Sequence, residues 1–297
     1  MSAYSCSFIM SNFPDIKWEL GTYIETFSNW VKHTFSSQFQ SISDAILWFL
    51  LKIESGLLWV PWWSIILLVI IAGGYYRNIF SGIIYGFLLF LIGTFGYWEL
   101  MMYTLAIVLA SVFISIVLGV PFGILLSYNK RLETVMRPIL DAMQTMPSFV
   151  YLIPAMMFFG MGKVPAVFAT IIYALPPVIR LTTLAIRSVS KEMVEAAQSF
   201  GATTWQVLRK VQLPQAVPTI MTGISQTTMM ALSMVVIASM VGAKGLGMEV
   251  LTSINRIDIG QGFESGIGIV FLAIIIDRIS QGIVNKAQLK RKADHHG

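Results

Sequence analysis

Residues 195–214 read EAAQSFGATTWQVLRKVQLP, a polar stretch with Arg209 and Lys210 near its end and long apolar stretches on both sides. Two short helices are predicted across it. Ser190 sits at the N-cap of the first, 191–200, and Glu192 falls in its first turn, where the helix dipole favours an anion. Gly201 stands where a residue of positive φ ends a helix. Thr203 and Gln206 have the spacing of a capping box, so a second helix is expected over about 204–212. Pro214 is expected to end it before the next apolar stretch. The segment is too short for a domain. Ala196 and Ala197 are small enough to let another surface come close, which suits a helix that docks into a partner's groove. An interfacial helix pair with only a packing role is the competing reading.

The surrounding chain sets the class. It has 297 residues, 56% hydrophobic and 12% charged, and its mean hydropathy is +0.74. A soluble domain carries about 25% charged residues, so an all-α integral membrane protein is predicted. Seven spans are expected, at 57–76, 79–97, 102–127, 138–160, 164–186, 215–241 and 262–284. Trp59, Trp62 and Trp63 at one end of the first span, and Tyr75 and Tyr76 at the other, fit aromatic belts. With 187–214 in the cytoplasm, twelve Lys and Arg fall in cytoplasmic segments and three, Lys163, Lys244 and Arg256, in the outer loops. That bias predicts a multi-pass cell-membrane protein with the N-terminus outside and the C-terminus, including a basic tail at 286–297, in the cytoplasm. The net charge of +5 is modest and points to no nucleic-acid partner.

Residues 1–56 are expected outside the membrane. Leu20, Tyr23, Ile24, Phe27, Trp30 and Val31 recur at helical spacing, predicting an amphipathic helix over 16–35, on the membrane surface or against the bundle, with a second over 39–53. The single cysteine, Cys6, forms no internal disulfide, and no cleaved signal peptide is expected.

Glu195-Ala196-Ala197, three residues, Gly201, nine residues, then Val211-Gln212-Leu213-Pro214 resembles the EAA loop of binding-protein-dependent ABC transporter permeases, with Val211 where that pattern has Ile. The resemblance covers about 100–285. It implies a type I importer core of five helices over 99–285, preceded by two helices over 57–98. It also implies that Glu195 makes a polar contact to an ATPase subunit or caps the loop. By the same resemblance Ala196, Ala197 and Gly201 allow close approach, and Val211, Leu213 and Pro214 lock the loop's return. The implied partners are ABC ATPase subunits, an extracellular substrate-binding protein, a second copy of the chain and membrane lipid. Residues 139–154, ILDAMQTMPSFVYLIP, 231–247, ALSMVVIASMVGAKGLG, and 277–281, DRISQ, resemble permeases for glycine betaine and proline betaine. Choline, carnitine, proline or another amine are the alternatives, and an ATPase-independent secondary transporter is the rival class.

Asp141 and Gln144 stand as substrate-pathway candidates, because intramembrane acids and amides are costly; Arg180 is a possible ion partner, and a structural ion pair is the competing reading. Phe149 and Tyr151 offer aromatic faces for a trimethylammonium group, against a plain packing role. The glycine-rich 241–247 lacks the G-K-[ST] ending of a phosphate loop, so no cofactor is expected in this chain and ATP is expected on the partner. No H-E-x-x-H or G-x-S-x-G occurs, and Asp141, Arg180, Asp277 and Arg278 are too scattered for a catalytic constellation, so no enzyme is predicted.

Overall fold

The computed structural model describes residues 20–294, with side chains over 21–286, and every regular element among them is helical. The chain divides into two compact units, 1–42 and 43–297. In the first, α1 (Leu20–Thr34) bears the predicted amphipathic pattern. Tyr23, Ile24, Phe27 and Trp30 are exposed, and Phe27 stacks on Trp30 with ring centres 6.1 Å apart. Residues 16–19 of that expected helix lie outside the described residues.

Helix α2 (Ser36–Trp59) runs into the second unit. There Ile46, Phe49, Leu50, Ile53 and Leu57 pack into the core, so the expected boundary at 56/57 falls inside a continuous helix. Pro61 lacks an N–H and disfavours helical backbone at Val60; the chain turns by 96° into α3 (Trp62–Tyr76). Asn78 then caps α4 (Ile79–Thr94), its side chain accepting from the Ser81 N–H at 2.9 Å. At 15 and 16 residues these two helices reach only about 22–24 Å, short of the ~30 Å hydrocarbon core.

The centre is built by α5 (Trp98–Tyr128), α8 (Lys163–Arg187) and α11 (Leu213–Ser239). Small residues let their backbones meet. A Cβ on Gly119 would lie 2.4 Å from Val178 Cγ1, and one on Gly123 would lie 2.8 Å from the Ile179 carbonyl oxygen. From the other side, a Cβ on Gly223 would lie 3.0 Å from Leu181 Cβ and 3.3 Å from Val178 Cα. Thr183 Oγ1 donates to both the Gly123 and Ile179 carbonyls at 2.9 Å. Around this centre run α6 (Lys130–Thr145), a 3-10 turn (Ser148–Tyr151), α7 (Leu152–Phe159), α12 (Leu246–Arg256) and α13 (Ile259–Asp294).

Two expectations are corrected. The span placed at 138–160 is not one straight helix: α6 ends at Met146–Pro147 and the chain bends by 109° into the 3-10 turn and α7. Pro147 is the cause, because it keeps the preceding residue extended. The count of seven is likewise not reproduced helix by helix. Among the described residues, four helices, Trp98–Tyr128, Lys163–Arg187, Thr204–Ser239 and Ile259–Lys286, are long and apolar enough to cross a membrane, or up to six if each bent pair is one span.

Candidate functional site

The interrupting loop forms as its caps dictate. Ser190 Oγ accepts from the Met193 N–H and starts α9 (Lys191–Ser199). Gly201 then adopts φ +81°, open to glycine without strain. The capping box of Thr203 and Gln206 is complete and opens α10 (Thr204–Val207). Beyond it the expectation for Pro214 fails. A π turn over Leu208–Gln212 joins α10 to α11, with the Leu213 N–H bonded to the Leu208 carbonyl, and one continuous helix runs through Pro214. The widened turn moves the carbonyls out of the register in which the proline ring would clash, so the proline stays in the helix without ending it.

Both ends of the loop are tied to the end of α5. On entry, Arg187 Nε donates to the Ser127 carbonyl and Nη2 to the Leu126 carbonyl, each at 3.0 Å. These belong to the last turn of α5, whose carbonyls have no partner within the helix. The third guanidinium nitrogen pairs with Glu133 in the first turn of α6. On exit, the Tyr128 hydroxyl donates to Gln212. Glu133 also accepts from Arg137 at 2.8 Å. That hydrogen bond holds the Glu133 carboxyl below its ordinary range, with Arg187 adding to the effect and burial opposing it.

Between the loop and α5 lies a recess of about 310 Å³ that includes Glu195, Lys191, Gln198 and Arg187. Glu195 and Ala196 are exposed, Ala197 is half-buried, and Val211 and Leu213 are half-buried on the return. Two large side chains missed by the sequence reading stand out from the loop. Phe200 is 92% exposed and Trp205 is 66% exposed. Large apolar groups held in the open beside Gly201 are the signal that would have found them.

The pathway candidates separate. Asp141 pairs with Arg180 at 2.5 Å and shares a cavity of about 470 Å³ with Glu133, Arg137 and Arg187. Tyr151 is buried and its hydroxyl donates to the Met143 carbonyl at 2.6 Å, which fastens the chain after the 109° bend; its ring is packed inside. Phe149 is exposed. Gln144 lines a third cavity, of about 670 Å³, together with Thr222 and Gln226 of α11 and Asp277, Gln281 and Asn285 of α13. Asp277 accepts twice from the Gln281 side-chain amide at 2.8 Å. Among the described residues it is the only charged group lining that cavity. Sequence reading saw Asp277 only as a scattered charge, because its neighbours come from three separate helices.

Residues 116–286, from within α5 through α13, match the model of the binding-protein-dependent transport system inner membrane component. The chain belongs to this family. The permease is 47% identical over 278 residues to the glycine betaine transport system permease protein OpuAB of Bacillus subtilis, covering 92% of this chain and 97% of that one. It is 48% identical over 263 residues to the glycine betaine/carnitine transport permease protein GbuB of Listeria monocytogenes, covering 85% and 92%. To the glycine betaine/proline betaine permease ProW of Escherichia coli it is 45% identical over 264 residues, covering 89% and 75%. The inward-facing MetNI methionine ABC transporter superposes with a TM-score of 0.58 at 24% identity, over 62% of this chain and 93% of that chain, a likeness of fold. The permease is thus a multi-pass, all-helical membrane transport subunit, and the 187–214 loop and the Asp277 cavity both lie inside the matched region.

Proposed function

We propose that this permease forms the membrane pathway of an ATP-driven importer for glycine betaine or a related quaternary amine. The observation that carries the reading is the cavity whose polar amides surround a single acid, Asp277, with no base in its lining. A trimethylammonium group carries a fixed positive charge and no N–H donor, so an uncompensated carboxylate among amides and the thioethers of Met229 and Met230 suits it. The relatives, whose names specify glycine betaine, proline betaine and carnitine, support the same cargo.

Two copies enclose the pathway. Each seats its 195–214 loop in one ABC ATPase subunit, with Phe200 and Trp205 as apolar knobs, Glu195 as the polar contact, and Ala196, Ala197 and Gly201 allowing close approach. Val211, Leu213 and Pro214 fix the loop's return to α11. ATP binds the partner subunit, and this chain carries no cofactor. A binding protein delivers the cargo on the side opposite the loop, which the Lys and Arg distribution puts in the cytoplasm together with the C-terminus. ATP drives the cycle by binding one state of the assembly better than the other. Reconstitution with its ATPase and binding protein in liposomes tests the reading: ATP-dependent uptake of radiolabelled glycine betaine, competed by proline betaine, is expected. Uptake of choline, carnitine or proline with glycine betaine inert would move the cargo to that amine. Uptake without any ATPase would overturn the coupling.

A further inference from the structure

Where α3 begins, α4 ends and α5 begins, a cavity of about 590 Å³ opens, within the about 300–1,000 Å³ range of small-molecule sites. It lies outside the region matched by the family model. Trp62, Phe90 and Trp98 contribute aromatic surface and Glu99 contributes a carboxylate. Among the described residues its lining holds no lysine, arginine or histidine. Trp62 is 54% exposed and Glu99 is exposed, so neither is sealed inside the protein.

Aromatic rings present a negative face, indole most strongly, and attract a cation that cannot donate hydrogen bonds as readily as one that can. A tryptophan belt against lipid needs no acid among its indoles. The carboxylate in the same wall selects a positive guest. Beside Trp98, the Tyr97 hydroxyl is pushed up first by burial and then by Glu264, Glu249 and Asp258, so a negative field reaches this end of the bundle.

We infer that this cavity, walled by Trp62, Phe90, Trp98 and Glu99, binds quaternary ammonium groups at a site separate from the Asp277 cavity. The guest is a free trimethylammonium solute or the choline headgroup of a lipid, which share the recognised group. The inference stands apart from the cargo reading, because it concerns equilibrium binding and is tested without uptake.

The test uses the full chain in nanodiscs of phosphatidylglycerol and measures equilibrium binding of radiolabelled tetramethylammonium. Saturable binding is expected. Trp62→Leu and Glu99→Gln, both at exposed positions and therefore compatible with folding, are each expected to weaken it about three- to tenfold. The neutral isostere of the probe, 2,2-dimethylpropane, is expected not to compete. Absence of saturable binding, equal affinity in both variants, or competition by the neutral isostere would overturn the inference. Repeating the titration in phosphatidylcholine nanodiscs separates the sources: displacement assigns the site to a lipid headgroup, and retained binding assigns it to a free solute.

Discussion

Arg187→Ala tests the idea that the docking loop moves the bundle through a clamp. The guanidinium holds two carbonyls of α5 at 3.0 Å and one carboxylate of α6. Charge-assisted hydrogen bonds contribute about 1.5–3 kcal/mol each. The Arg187 side chain is a third exposed, at 33%, so the lower figure applies. Adding about 0.5 kcal/mol for a solvent-screened ion pair gives a loss of about 3.5 kcal/mol in the stability of the loop's attachment. Arg187→Lys keeps the charge but not the fork that reaches both carbonyls, and should lose about half of that. Two readouts are needed: thermal unfolding of the purified chain, and ATP hydrolysed per cargo imported by the reconstituted complex. The expected result is a destabilised chain and a hydrolysis-to-uptake ratio raised at least several-fold in Arg187→Ala. Because Gln212 grips the neighbouring Tyr128, Gln212→Ala should combine non-additively with Arg187→Ala in the ratio. An unchanged ratio, with stability altered by less than about 1 kcal/mol, would refute the clamp.

Gly123→Ala should cost about 1–3 kcal/mol, because its Cβ would meet Thr182 Cβ at 2.7 Å and a backbone oxygen at 2.8 Å; Gly266→Ala, with nothing within 4 Å, should not destabilise in the same unfolding assay. Phe200→Asp with Trp205→Ala should weaken ATPase association more than tenfold while leaving the chain's own melting unchanged, since both side chains are exposed; unaltered co-purification would remove them from the docking surface. Asp277→Asn should raise the KM for a cargo that carries a trimethylammonium group and leave membrane levels intact, and unchanged uptake kinetics would take Asp277 out of the pathway. For Glu133, whose folded carboxyl is held low by Arg137 and Arg187, the stabilisation is full above the unfolded value of about 4.3 and is lost as pH falls through the lower folded value. The stability difference between the wild-type chain and Glu133→Gln should therefore be constant above about pH 5 and shrink below about 4.3.

What the sequence made legible was local. The caps at Ser190 and Thr203 and the stop at Gly201 are set by side chains within three residues of the backbone groups they serve, and all three formed. Pro147 breaks the span placed at 138–160 by an equally local rule, keeping Met146 extended, but the angle of 109° is set by the fold. Pro214 was misread because the π turn that accommodates it is a matter of backbone register, which residue pattern does not encode. The pathway residues were read least well. Asp141 and Gln144 are three apart on one helix, yet one meets Arg180 and the other the Asp277 cavity. Tyr151 and Phe149 look alike as aromatic residues in an apolar run, but only the fold decides that the first turns inward and the second outward. A cavity assembled from four helices has no linear signature.

The glycine contacts along α8 also constrain how the permease can work as a machine. Gly119 and Gly123 sit against it from α5 and Gly223 from α11: a Cβ on Gly119 would meet the Val178 side chain, and those on Gly123 and Gly223 would come within 2.8 Å of the Ile179 carbonyl oxygen and 3.3 Å of Val178 Cα. Helices meshed that closely cannot slide past one another by small steps; they hold one register or jump to another. These three helices therefore behave as a single casting. Outside them, α6 is held by the Arg180 and Arg187 ion pairs, and α13, which brings Asp277 to the cavity, meets α3 where a Cβ on Gly282 would lie 3.2 Å from the Tyr76 carbonyl oxygen. The cavity edges contributed by Gln144 and Asp277 thus lie on α6 and α13, outside the block of three helices, so any change of register in that block alters the cavity between them.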